Sequence, residues 1–600
     1  MTTALGSSRA PTRGTLLRWI GWFGIANAAL YGLVGLRYLY AFGMPGSGMA
    51  TTYVALAFIG QFALLGFLPL MLLLGPVALL VPRKGLLMAI GVPVAAAGLT
   101  ILALDTNVFV QYRYHMSALT AEIFETSTWI FAGIIFSVAL LFEAMLAGNV
   151  WQRIAAQNDR KGIWLAVALV TGWCGGQGIH IWADATAYTP VLSFTRYMPV
   201  YFPMKATRRL AKLGLIDPEA VEKARLLRKA SAPDSGQLRY PLQPLACTTD
   251  DAPLPNILFV VIDALRPDKI SAEHTPRIAQ LAAESLQFNN HYSGGNSSRM
   301  GFFSMFYGLP STYWQAFNDT QRQPVLMDQI EAHGYEIAAF SSVGFGSPAR
   351  IDRTLFAAVS SDHLYTAPRG GDRNVDITRA WQRWFDARNA PETPWFNLLY
   401  YDPGNAASDT GGSSATPQTL AERQAAYMHG IRATDDELRN VLAKLDRKED
   451  QRETLVILAS DHGYEFDELG LGNVGHGSNY GSWQLRSTLL MRWPGREPHV
   501  YTHRSAHQDL PGTLLQEVFG CRGPISDYSS GSNLFSEQSW DWMIAGSYSS
   551  FAIVEPDKLI VSYPGGLIEV LGPDYRPQAG LRPDPATIEA TLLEMRRFYR

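Results

Sequence analysis

NILFVVIDALR, residues 256–266, is an apolar run rich in β-branched residues that stops at a single acidic side chain, Asp263. The pattern recurs in TLVILASDHG, residues 454–463, where a second apolar run ends on Asp461 and His462. Both runs are continuously hydrophobic rather than alternating, and long helical patterns lie between them, which predicts buried strands of a parallel sheet. Ligands of such sheets bind at the carboxyl ends of the strands. Asp263, Asp461 and His462 are therefore expected to converge there, as hard oxygen ligands and one imidazole suited to a divalent metal ion (Mg, Mn, Zn or Ca). Either aspartate alone reads equally well as a helix N-cap; the two together with His462 favour the metal.

Working outward, Thr275-Pro276 predicts a helix start, with the hydroxyl capping the first turn and proline at the first helical position. Residues 326–333 read as helix, Gly334 as its stop, 335–340 as a strand and 395–400 as a further short apolar run. Ile431, Leu438, Val441, Leu442 and Leu445 fall on one helical face before the Asp461 strand. Strands alternating with helices predict an α/β domain with a mostly parallel sheet. Near the end, 559–563 and 567–571 flank Pro564-Gly565-Gly566, the signal of a β-hairpin in an appended subdomain.

Between the two strand ends lies YSGGNSSRMG, residues 292–301. Gly294 and Gly295 allow close backbone approach, and Ser297 and Ser298 open a predicted helix over 300–306. A hydroxyl at a helix amino terminus sits where N–H groups and the dipole favour an anion. Ser297 is an ordinary N-cap or, if a metal also binds its oxygen, a nucleophile toward a phosphate or sulfate ester. Arg299 would supply a fork for the anionic group. His476, in GHGS one loop beyond the Asp461 strand, reads either as the donor of a proton to a leaving oxygen or as an ordinary loop histidine.

The 600-residue chain is bland in composition, with a net charge of −3, only because two unlike halves average out; no nucleic-acid partner is expected. Up to about residue 183 charge is scarce, and five segments, 17–42, 53–81, 86–104, 129–146 and 163–182, are each about long enough to cross a bilayer. Arg9, Arg13, Arg83, Lys84, Arg153, Arg160 and Lys161 mark the cytoplasmic loops, so everything after the fifth span is expected outside. Glu143 and Arg37 are assigned to span ends, where long charged side chains snorkel. The first span is too long for a signal peptide and is expected to stay as an anchor. Beyond the spans, Lys205, Arg208, Arg209 and Lys212 recur at helical spacing beside Leu210 and Leu213, a pattern that fits a solvated linker face or a binder of anionic headgroups. The chain divides into a transmembrane domain (1–184), a juxtamembrane basic linker (185–254), an outer α/β domain (255–545) and a C-terminal subdomain (546–600). Cys247 and Cys521 both fall outside the membrane and can pair in an oxidising compartment.

Asp263 in VIDALR, the serine loop GGNSSRMG, SDHG at 460–463, GHGSNY at 475–480 and HQDLPGTL at 507–514 resemble the alkaline phosphatase and sulfatase superfamily. The five-span anchor together with YFPMKATRRL, FFSMFYGLPSTYW, FSSVGFGSP and SNYGSWQLRSTLLMRWPG is more closely similar to inner-membrane sulfatase-like proteins of Gram-negative bacteria. The resemblance implies that Asp263, Ser297, Asp461 and His462 occupy four metal-ligand positions, that Ser297 stands at the nucleophile position and that His476 matches a substrate histidine. It further implies that Arg208 and Arg209 bind lipid A, and that the chain is a multi-pass inner-membrane protein with a periplasmic domain. Such a protein would tune envelope lipid homeostasis through a membrane partner. The alternative is a working phosphatase or phospho-group transferase. Two departures oppose formylglycine sulfatase chemistry: Gly295 holds the nucleophile slot of the Cys-x-Pro-Ser-Arg register, and Asp263 is followed by Ala264.

Overall fold

The computed structural model describes residues 11–42, 47–156, 161–186, 188, 191, 194, 198–204, 206, 209–210, 213–214, 238–248, 253–346, 348–388, 392–404, 419–447, 453–563 and 566–599. They form two compact units, Met1–Leu238 with Tyr599–Arg600, and Arg239–Phe598.

The first unit contains α1 (Arg13–Phe42), α2 (Gly48–Leu80), α3 (Lys84–Tyr112), α4 (Thr126–Ala156) and α5 (Lys161–Ala185). All five are long and apolar enough to span a membrane. In hydrocarbon every backbone group must be satisfied within the segment, which helices achieve. Leucines and valines such as Leu72, Leu80, Val138 and Leu141 point outward, while Trp19, Phe23, Tyr53 and Phe62 pack inside. Glu143 is not at a span end. Because α4 runs on to Ala156, Glu143 is fully buried and accepts a hydrogen bond from Asn27 Nδ2 of α1 at 3.2 Å. Arg37 does not snorkel freely either: it donates to Thr106 Oγ1 (3.3 Å) and Asn107 Oδ1 (2.8 Å) of α3.

The second unit is built on an eight-stranded sheet. Its strands are β1 (Asn256–Ile262), β2 (Leu286–Phe288), β3 (Glu336–Ser341), β4 (Leu364–Thr366), β5 (Trp395–Tyr401), β6 (Thr454–Ala459), β7 (Leu489–Arg492) and β8 (His499–Tyr501), in the spatial order β8-β2-β7-β6-β1-β5-β3-β4. Only β7 runs antiparallel to its neighbours. The apolar runs at 256–262 and 454–459 are thus the adjacent central strands β1 and β6, and every residue of β1 is buried. Each of its apolar side chains contributes about 1.5–3 kcal/mol relative to exposure.

Helices α6 (Pro276–Ala283), α9 (Arg373–Ala387) and α10 (Leu420–Arg447) cover one face; α7 (Ser298–Tyr307), α8 (Val325–Ala332) and α11 (Asp509–Glu517) lie together on the other. On the first face Ile431, Leu438, Val441, Leu442 and Leu445 of α10 all enter the core, as their spacing predicts. On the second, Phe306 of α7 meets Phe259 of β1 with ring centroids 4.8 Å apart. Beyond them, β9 (Met543–Gly546), β10 (Phe551–Val554), β11 (Leu559–Ser562) and β12 (Ile568–Leu571) form an antiparallel sheet, followed by α12 (Pro585–Arg596). The expected hairpin is β11–β12, with Pro564 and Gly565 of its turn outside the described residues.

Thr275 sits at the N-cap of α6, but its hydroxyl turns back to Ser271. The cap comes from Asp435 of α10, whose carboxylate accepts from the N–H groups of Arg277 (3.1 Å) and Ile278 (2.7 Å). Asp435→Ala is expected to lower the unfolding free energy by about 1–2 kcal/mol in denaturant titration, whereas Thr275→Ala should cost less.

Candidate metal centre

β1 ends one residue before Asp263, yet the ladder continues, because the Asp263 N–H donates to Tyr401 O of β5 at 2.9 Å. Ala264 then takes a left-handed conformation (φ 55°) that turns the chain away and leaves the Asp263 carboxylate at the strand tip. The neighbouring tip of β6 carries Asp461, whose Oδ1 accepts the N–H groups of both Ala264 and His462 at 3.0 Å. One oxygen of Asp461 thereby ties the two tips together, and Oδ2 is left facing inward. His462 Nδ1–H donates to Gly463 O at 2.8 Å, which fixes the tautomer and leaves the Nε2 lone pair free. That Nε2 lies 3.5 Å from Asp461 Oδ2 and 3.8 Å from Asp263 Oδ1. One ligand atom from each of the three residues lies within 4.8 Å of the others.

Asp461 and His462 are fully buried, while the Asp263 side chain is 20% exposed, so the cage opens to solvent on the Asp263 side. Burial, and then the charge of Asp461, hold the Asp263 carboxyl above its ordinary range, against the pull of His462 and His476 and the hydrogen bond from Tyr400. Two carboxylates forced together in a buried place with an imidazole lone pair between them are the donor set of a divalent cation, and the residues fit one. Bound there, a metal ion supplies Lewis-acid polarisation of an ester oxygen. Tyr400, whose hydroxyl donates to Asp263 Oδ2 at 2.7 Å, was not singled out by sequence, since a tyrosine in an apolar run looks like core.

The serine hydroxyl that reaches the cage belongs to Ser298. Its Oγ is 3.5 Å from Asp263 Oδ2 and 3.4 Å from His462 Nε2. Ser297, expected to be ligand and nucleophile, is the N-cap residue of α7, fully buried, and its Oγ has no hydrogen-bond partner among the described residues. The helix phase decides between them. Gly301 lies so close to β6 that a Cβ there would stand 2.0 Å from Asp461 O, and this packing fixes which serine turns toward the tips.

His476 stacks on His462 with centroids 4.2 Å apart, and its Nδ1–H donates to Asn296 O at 3.3 Å. Burial, then the neighbouring His462, push it down to about 4, against the pull of Asp263. In this state the imidazole is neutral. Arg299 donates from Nε (2.8 Å) and Nη2 (2.5 Å) to Pro348 O, and its guanidinium lies between the rings of Trp314 (4.2 Å) and Tyr548 (4.9 Å). Of the basic linker residues, Lys205, Arg208 and Lys212 lie outside the described residues; the Arg209 N–H donates to Ala206 O at 2.9 Å. Cys247 and Cys521 form a disulfide.

A largely parallel sheet with an Asp/Asp/His cage at its central strand tips, in a chain that also carries five membrane-spanning helices, defines a membrane-anchored domain of the alkaline phosphatase and sulfatase type. Residues 255–520 match the Sulfatase family, and residues 8–247 match a domain of unknown function, DUF3413. The whole chain is similar to inner membrane protein YejM of Salmonella typhi, 25% identical over 593 residues that cover 97% of each chain. An uncharacterized protein of Haemophilus influenzae is 26% identical over 598 residues, covering 97% of this chain and 96% of that one. A solved structure of an alkaline phosphatase superfamily protein from Vibrio parahaemolyticus aligns with a TM-score of 0.45 at 15% identity, covering 62% of this chain and 94% of that one.

Proposed function

We propose that this inner-membrane protein holds its sulfatase-like domain in the periplasm, binds anionic lipid, lipopolysaccharide included, at the junction after its fifth span, and tunes envelope lipid levels through a membrane partner. The observation that carries the reading is the conformation of residues 198–204. Gln61 Nε2 of α2 donates to Pro199 O (2.8 Å), and Gln177 Oε1 of α5 accepts from the Met204 N–H (2.8 Å). His180 Nδ1, which sequence alone left without a role, contacts Met204 O at 2.9 Å. Polar side chains of two spans thus pin this strap, and Val200, Phe202 and Met204 point outward, 69%, 70% and 51% exposed. An apolar edge followed at once by the basic stretch 205–212 suits an acyl chain below and a phosphate-bearing headgroup above. The disulfide supports an oxidising compartment for the outer domain.

The second reading, a metal-dependent phosphatase or phospho-group transferase, is favoured by the approach of Ser298 Oγ to the cage, and assigns the nucleophile to Ser298. Complementation of a depleted strain separates the two. Arg208→Glu with Arg209→Glu is expected to disturb lipopolysaccharide content, while Ser298→Ala and Asp461→Asn restore it to normal. The reverse pattern would replace lipid sensing with catalysis.

A further inference from the structure

A cavity of about 160 Å³ lies between the start of α11, β9 and the end of α12, and none of the cage residues lines it. It is about the size that holds a benzene ring in an apolar core, but its wall is not that of an apolar core. Gln508, Asp509 and Glu594 line it together with Trp540, Trp542 and Ile544. Gln508, 4% exposed, donates from Nε2 to Ile544 O at 3.4 Å, while its Oε1 has no partner among the described residues. The enclosed Trp540 Nε1 has none either. An acceptor and a donor thus stand unmatched on residues of one wall, each at the cost of a lost hydrogen bond.

The charges of the wall do not balance. Asp509 accepts from the N–H groups of Ala506 (2.7 Å) and Ser532 (2.7 Å) and from Ser532 Oγ (3.3 Å), and it makes no ion pair among the described residues. Glu594 is paired with Arg597 Nη2 at 2.8 Å. Two carboxylates against one guanidinium leave a negative charge uncompensated where water screens it poorly. Burial pushes the Asp509 carboxyl up to about 6 against its three hydrogen bonds, and raises Glu594 against the pull of Arg597 and Ser530. Indole rings attract cations to their faces. We propose that the cavity is a binding site for a small primary ammonium compound, whose charge offsets Asp509, whose N–H serves Gln508 Oε1 and whose carbon body lies against Trp540 and Trp542. The site depends on neither the metal cage nor the junction after the fifth span.

The test titrates the full-length protein in detergent with 3-methoxypropylammonium by calorimetry, against a blank of the same detergent. This probe is small enough for the cavity, and its ether oxygen offers Trp540 Nε1 the acceptor it lacks. Wild type is expected to bind it about tenfold or more tightly than 3-methoxypropan-1-ol, a neutral molecule of the same length. Glu594→Gln, which removes one of the two carboxylates while Arg597 stays, and Trp542→Leu, which removes one indole, are each expected to bind the probe about tenfold or more weakly than wild type. Circular dichroism and thermal melting show which variants are folded, and one folded variant suffices. Equal affinity of wild type for the amine and the alcohol overturns the proposal. So does undiminished affinity in a folded variant, which puts the amine elsewhere, or a titration of wild type with no heat above the blank, which leaves the cavity to water.

Discussion

Asp461→Ala is expected to abolish metal uptake and also to destabilise the α/β domain, whereas Asp461→Asn is expected to abolish the first and largely spare the second. The difference follows from the two jobs of one carboxylate. Asp461 Oδ1 accepts two buried N–H groups, from Ala264 and His462, and alanine leaves both unsatisfied. Each orphaned donor costs about 1–3 kcal/mol, so a loss of about 2–6 kcal/mol is expected in thermal or urea unfolding of the metal-free protein. Asparagine keeps an oxygen in place for both donors. It removes the charge that balances a cation, and since loss of a mere supporting contact lowers metal affinity about 10–100-fold, loss of a ligand charge should reach at least about a hundredfold. Calorimetry with Mn2+ and Zn2+ reads the second effect. An alanine variant as stable as wild type, or an asparagine variant with undiminished affinity, contradicts the geometry.

Gly301→Ala is expected to destabilise by about 3 kcal/mol or more, and the sign is itself diagnostic. In an ordinary helix the same change stabilises by about 1 kcal/mol, because alanine is the better helix former. Here the new methyl would stand 2.0 Å from Asp461 O and 2.8 Å from Asp461 C, both backbone atoms of a buried strand tip, so α7 must retreat. Retreat carries Ser298 away from Asp263 and His462, and metal affinity measured at a temperature where the variant is folded should fall with it. A Gly301→Ala protein that melts higher than wild type would show that α7 does not rest on β6.

The central strands and the cage acids were legible because their signals are local. A run such as 256–262 has no polar face, so it must be buried on both sides, and a charge ending such a run at a strand tip has few structural excuses. What was not legible depends on distant partners. Nothing in GGNSSRMG says which serine faces the tips, since the phase of α7 is set by Gly301 against Asp461, 160 residues on. The cap of α6 belongs to Asp435 in place of Thr275 for the same reason. The hold of Pro348 O on Arg299 was hidden as well, because sequence does not place that carbonyl within its reach. Glu143 looked terminal because hydropathy fades near 146 while the helix continues to Ala156.

The sheet topology has a consequence for how this protein is made. β1 is the first strand of the eight-stranded sheet to leave the ribosome, but its two neighbours in the sheet are β5 and β6, and its pairing with β6 joins Ile257 to Leu455. The middle of the sheet stays open until nearly two hundred further residues have been synthesised, so β1 waits, apolar and half-dressed, for its partners. Non-local pairing of this kind is slow and exposes sticky edges. A nascent chain interrupted before Ala459 is therefore a natural client for chaperones and quality-control proteases, however soundly its anchor has already been inserted.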